Sequence, residues 1–168
     1  MTVFFWHEYE KNGYLSNWYQ RGFEIDGVQY RHVEQYIMAQ KAQLFGDTVQ
    51  YEKIMQAEKP DVCKRYGRAV APFEPAVWDY FRAGVLKQGL LAKFTQNDDL
   101  RQMLLATGDE GLAEASPTDR IFGIGMNAHE ASKFSPAAWP GENLLGKTLM
   151  EVRTVLRRCP PGYRYSGN

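Results

Sequence analysis

Short alternating runs of apolar and polar residues come first along the chain, and helical periodicity follows. "VFFW" (3–6) reads as a short strand. "YQRGFEIDGVQYRHV" holds two alternating runs around Asp26-Gly27, and an Asp-Gly pair so placed marks a hairpin. From Val33 the period lengthens. Val33, Tyr36, Ile37, Gln40 and Leu44 share one helical stripe, with Gly46 as its stop. Asp47 is placed to cap a second helix reaching about Ala57, and a third begins at Pro60 and ends at Gly67. The longest predicted helix runs from Pro75 to Thr95, with Val77, Phe81, Val85, Leu86, Leu90 and Phe94 as its buried side. Another is capped by Asn97 and stopped by Gly108. "LAEAS" (112–116) reads as a short strand, and a last helix follows Asn143, with Leu145, Leu149, Val152 and Leu156 facing a core.

This pattern predicts an α+β fold: a mainly helical single domain over 1–159 with a small sheet or hairpin, and a flexible tail over 160–168. No repeat, low-complexity segment or linker interrupts it. The exception is "PTDRIFGIGMNAHEASKFSPAAWPGEN" (117–143), which is long, irregular and rich in Gly and Pro. Long structured loops are often functional.

Composition narrows the classes. A chain of 168 residues buries roughly 70% of its unfolded surface, so it needs neither a disulfide nor a metal to fold. Twenty basic and twenty acidic residues give zero net charge, which argues against coating a nucleic-acid duplex but leaves room for a pocket that takes one nucleotide. Aromatics reach 14%, including four Trp and ten Tyr; they suit a large core or a site that stacks flat rings. Cys63, Cys159, His7, His32 and His129 have no metal-ligand spacing. The expectation is a reduced, cytoplasmic setting with no metal, no cofactor, no signal peptide and no membrane span.

Five positions invite chemistry. Glu34 and Lys41 are seven residues apart on the first helix, about 20° apart in azimuth and roughly 10.5 Å along the axis. They can bracket a small ligand lying along the helix, with Met38 between them, or they can be two solvated surface residues; spacing does not decide. Asp119 is a turn former, or a carboxylate on a loop whose glycines let a ligand approach the backbone. Asn143 suits an N-cap, and helix N-termini also bind phosphate. Trp78 is a core anchor or a stacking platform. "GIGMNA" (123–128) matches the dinucleotide fingerprint only formally, because Pro117 lies just upstream and no βαβ context surrounds it; its glycines read as a tight loop. No G-x-S-x-G, H-E-x-x-H or P-loop appears, so acyl transfer, zinc hydrolysis and P-loop phosphoryl transfer have no support.

Taken in order, "LSNWY" (15–19), "IDGVQYRHVEQYIMAQK" (25–41), "YGR" (66–68), "VWDYFRAGVLKQGLLAKF" (77–94), "LLATGD" (104–109), "LAEASPTDRIFGIG" (112–125) and "GENLLGKTLMEVR" (141–153) resemble the NADAR family. Active members of that family cleave N-glycosidic bonds to ribose. Some are similar to enzymes acting on phosphorylated ribosylamino-pyrimidine intermediates of riboflavin synthesis; others remove ADP-ribose from modified guanine. The resemblance implies catalytic Glu34, Lys41 and Asp119, and substrate-binding Asn17, Arg68, Trp78, Phe122, Gly123, Gly125 and Asn143. It also implies a ribose-phosphate or ADP-ribose ligand, free or carried on DNA or RNA, and no obligate protein partner. The sequence departs from the family at three places: Gln35 stands where His is usual, His32 where Thr or Ser is usual, and Phe122 where Trp is usual. Loop 126–140 is longer than in the compact riboflavin-type relatives, which favours an ADP-ribose-bearing substrate. The rivals from other classes are a non-catalytic ADP-ribose or NAD sensor and a structural module with a decayed site.

Overall fold

Asp26 and Gly27 turn the chain as their residue types require. Both have positive φ, 51° and 79°, the signature of a two-residue type I′ hairpin turn. Strands β1 (Thr2–Phe5), β2 (Phe23–Ile25), β3 (Val28–Tyr30) and β4 (Gly111–Glu114) form two separate pairs. β2 and β3 pair antiparallel with Phe23 opposite Tyr30, while β1 and β4 pair parallel with Thr2 opposite Gly111. The computed structural model describes all residues, 1–168. It divides into two compact units: Gln20–Asn97 with Arg164–Asn168, and Met1–Tyr19 with Asp98–Tyr163.

The first, or hairpin, unit holds β2, β3 and four helices: α1 (Val33–Leu44), α2 (Thr48–Gln56), α3 (Pro60–Arg68) and α4 (Pro75–Gln96). α1 packs against α2, α3, α4 and β3. Residues 32–39 are consequently buried without interruption, so this half of α1 has no solvent face for Glu34 or Gln35. His32 caps the helix: its Nδ1 accepts from the Gln35 amide at 3.0 Å. The imidazole thus does the capping work that a Thr or Ser hydroxyl does at other helix starts. Gln35 is a brace. Its Oε1 accepts from the Arg31 amide at 2.8 Å, and its Nε2 donates to the Ile54 and Ala57 carbonyls at 3.1 and 3.2 Å, tying α1 to the end of α2. Asp47 caps α2 as expected, accepting from the Gln50 amide at 3.0 Å.

Several local expectations give way to packing. Gly67 does not stop α3, which continues through Arg68. A Cβ at Gly67 would lie 1.9 Å from Met38 Sδ, so the glycine lets α3 approach α1. Val77 and Phe81 on α4 are exposed, at 38% and 45%, whereas Trp78, Leu86, Leu90 and Phe94 are buried. The seam at the start of α4 is thus one residue further along than its apolar pattern suggests. Asn97 closes α4 by donating to the Lys93 carbonyl at 2.9 Å, and its Oδ1 accepts from Arg21 Nε at 3.0 Å. Arg164–Asn168, the last part of the 160–168 tail, belong to this unit and are hydrogen-bonded to it. The Tyr165 amide donates to Thr95 Oγ1 at 2.8 Å, Gln96 Nε2 donates to the Tyr165 carbonyl at 2.5 Å, and the Asp26 amide donates to the Ser166 carbonyl at 2.8 Å.

The second, or strand-pair, unit carries β1, β4, α5 (Asp98–Ala106), the single turn α6 (Ala128–Ala131) and α7 (Leu144–Arg158). α7 packs on β4 and α5 with Leu145, Leu149, Val152 and Leu156 buried, as the seam predicts. Ala113, Ala115, Ile124 and Ala131 form a small core on which Phe4, Met126 and Trp139 pack. The secondary structure is therefore mainly helical α+β, as the pattern implies. No helix is long and apolar enough to cross a membrane.

Candidate functional site

The hairpin unit gathers four of the candidate residues along α1. Glu34 sits in the first turn of α1, where the helix dipole favours a carboxylate. It is only 8% exposed, so the reading as two solvated surface residues fails for it. Lys41 occupies the last turn, half-buried. Its Nζ lies 4.4 Å from the Phe73 ring centroid and 6.0 Å from the Trp78 ring. It makes no ion pair with a carboxylate. Burial lowers its pKa below the usual lysine value; the charges of Arg68 and Arg82 push the same way, and Glu34 opposes them. An amine in these surroundings is more often neutral than an exposed lysine. Trp78 is 6% exposed and serves as a wall rather than a surface ring. Arg68, the last residue of α3, is exposed.

Arg82 was not singled out by the sequence, although it stands one helical turn beyond Trp78 on the same face of α4. Its side chain is only 14% exposed, and it pairs with Asp79 Oδ1 at 3.0 Å. Its Nε is buried with no acceptor. An orphaned buried donor costs about 1–3 kcal/mol, so the fold keeps this one at a loss. Phe73 was missed as well, and no periodicity marks it, since it lies outside the helices.

Burial shifts three further titratable groups of this unit. Burial first, then the charge of Glu34, pushes the Cys63 thiol up to about 12. Burial holds His32 down to about 4. Because Nδ1 accepts from an amide, the proton sits on Nε2, which faces the Glu58 carbonyl at 3.2 Å. Lys93 is fully buried within α4, and desolvation brings it down to about 7. No group of three or more His, Cys, Asp or Glu side chains is placed to hold a metal ion. An open cavity beside the hairpin, lined by Glu24, Gln29, Gln96 and Arg164 among others, contains none of the candidate residues.

The strand-pair unit holds the remaining candidates. Asn17 is 5% exposed, and its Oδ1 is buried without a partner. Asp119 forms an Asx turn: its Oδ1 accepts from the Ile121 and Phe122 amides, both at 2.9 Å, leaving Oδ2 unbonded. Gly123 is required by packing, because a Cβ there would come within 2.8 Å of the Asp119 carbonyl oxygen. Gly125 is required by its φ of +72°. Asn143 stands at the N-cap position of α7, as expected, but its side chain does not cap the helix. It adopts φ 54°, ψ 42° and makes no side-chain cap bond; instead its Oδ1 accepts from the Glu114 amide at 3.2 Å and its Nδ2 donates to the Leu112 carbonyl at 2.9 Å. It fastens the start of α7 to β4.

These residues lie in a chain that matches the NADAR domain over residues 4–157. The chain belongs to the NADAR family, as its ordered motifs implied. It is 42% identical over 144 residues to an N-glycosidase of Acanthamoeba polyphaga mimivirus, an alignment covering 83% of this chain and 85% of that protein. It is 32% identical over 159 residues to a riboflavin biosynthesis protein of Vibrio vulnificus, covering 95% of this chain and 40% of that longer protein. The NMR structure of the E. coli protein YbiA shares the fold, with a TM-score of 0.77 at 30% identity over 94% of this chain and 85% of that one.

Proposed function

We propose that the chain is a hydrolase that cleaves a ribose–nitrogen bond, with Lys41 and Glu34 as the reacting pair and ADP-ribosylated guanine as its substrate. The reaction class is supported by family membership and by relatives that carry the name N-glycosidase. The observation that carries the mechanism is the setting of Lys41: an amine held between Phe73 and Trp78, without an ion pair, its pKa lowered by burial and by two arginines.

A neutral amine of this kind can attack C1 of the ribose. The C1–O4′ bond opens, and O4′ takes the proton that the attacking nitrogen gives up. Glu34 protonates the departing base nitrogen, the C1–N bond breaks, and the nitrogen lone pair of Lys41 completes an imine to C1. Water then adds to C1, and the C1–Nζ bond breaks to release the sugar aldehyde and return the amine. Within the hairpin unit Trp78 flanks the ribose or base, and Arg68 binds hydroxyl or phosphate groups. No cofactor enters these steps.

The preference for an ADP-ribose-bearing substrate is supported by the long loop 126–140. The name of the Vibrio vulnificus relative favours a second reading, a phosphorylated ribosylamino-pyrimidine of riboflavin synthesis. Purified protein offered both compounds separates them by chromatography. Release of ADP-ribose from the guanine adduct at a much higher kcat/KM supports the first reading. Preferential release of the pyrimidine supports the second, and ligand binding with no turnover of either makes the domain a sensor.

A further inference from the structure

We propose that Arg82 is a substrate-binding residue that sets specificity for phosphorylated ribosides, its Nε edge receiving a phosphoryl oxygen. Three features of the hairpin unit point to it. The guanidinium is committed on one side only, where Nη1 meets Asp79 Oδ1 at 3.0 Å. Its Nε is buried and lacks an acceptor, so this edge is desolvated in advance for an oxygen that the protein does not supply. Its charge reaches Lys41, as does that of Arg68, so two guanidiniums converge on the amine with Glu34 the only opposing charge acting on it. A cluster with that balance suits an anionic ligand, and a guanidinium matches the two-oxygen geometry of a phosphoryl group better than any other side chain. Asp79 does not compete for the role, because it is 60% exposed and occupies Nη1 rather than Nε. It holds the fork in orientation.

The inference rests on the N-glycosidase reading of Lys41 and Glu34, and its test separates the two. Arg82→Gln is compared with the native protein on a phosphorylated ribosylamino substrate and on the same compound without phosphate. The ratio of the two kcat/KM values is expected to fall at least tenfold, mainly through KM of the phosphorylated compound. An equal fall on both compounds, or an unchanged ratio, would overturn the assignment. Calorimetric titration with ribose 5-phosphate reads the same contact without turnover, so it remains decisive if no N-glycoside is hydrolysed. Binding at least tenfold weaker in the variant supports the role, and equal binding, or no binding by the native protein, removes it. If Arg82→Gln does not fold, Arg82→Lys keeps a cation beside Asp79 while deleting the Nε edge, and the same falls are expected.

Discussion

The candidate residues of the two units stand in different surroundings, although each unit keeps a buried polar atom without a partner, Asn17 Oδ1 in one and Arg82 Nε in the other. In the strand-pair unit, Asn143 and one oxygen of Asp119 are spent on backbone amides and carbonyls, and they build the loop that runs into α7. In the hairpin unit, Lys41 has aromatic rings for neighbours instead of a carboxylate, and Arg82 keeps a buried donor without an acceptor. Satisfied groups stabilise, and unsatisfied ones are retained at a cost that only a ligand removes. On the proposed reading the reacting groups stand on α1, with Arg82 on α4, while Asn143 and the Asp119 turn chiefly build the glycine-rich loop.

Substitutions sharpen this contrast, and the largest effects are expected on α1. Glu34→Gln should lower kcat by roughly 10²–10⁴, the range for losing acid–base assistance, with the melting temperature little changed. Asp119→Asn retains an acceptor oxygen for the Ile121 and Phe122 amides and should cost less, at most about 10²-fold. If steady-state kinetics found the order reversed, the loop would carry the chemistry and the comparison would fail. Asn143→Ala leaves the Glu114 amide and the Leu112 carbonyl without their partner, and should lower stability by about 1–3 kcal/mol in thermal unfolding. A melt identical to that of the native protein would show that the brace is dispensable.

The smallest effect concerns pH. His32 is held down to about 4, against an ordinary 6.5. Between those values the unfolded chain binds the proton and the folded chain does not. The stability it confers is complete above pH 6.5 and is lost as pH falls toward 4, by about 3 kcal/mol at most. His32→Asn supplies another capping acceptor without a titrating ring. Its stability should fall less steeply over that range in denaturant melts, and parallel curves would exclude His32 as a cause.

Local chemistry made much of the fold legible. The Asp-Gly turn, the span of α1 from Val33 to Leu44, the Asp47 cap and the α7 seam all depend on residues close in sequence. What stayed hidden depends on neighbours brought from far along the chain. Gly67 reads as a helix stop until Met38 is seen against it, and the Asn143 side chain reads as a cap for α7 until β4 is seen beside it. The α4 pattern favours Val77 and Phe81 over Trp78 because hydrophobicity alone does not say which side another helix covers. Glu34 and Lys41 were legible through the family motif rather than through their spacing, which suits a solvated face equally well. Arg82 carried no signal in one sequence, since a lone arginine one turn from a tryptophan is common on surface helices.

The account stands on Lys41 acting as a nucleophile. Borohydride added during turnover, followed by peptide mass spectrometry, tests it directly. A reduced sugar adduct on Lys41, formed with substrate and absent without it, is the predicted result. Full turnover with no adduct at Lys41, together with near-native activity of Lys41→Met, would contradict it.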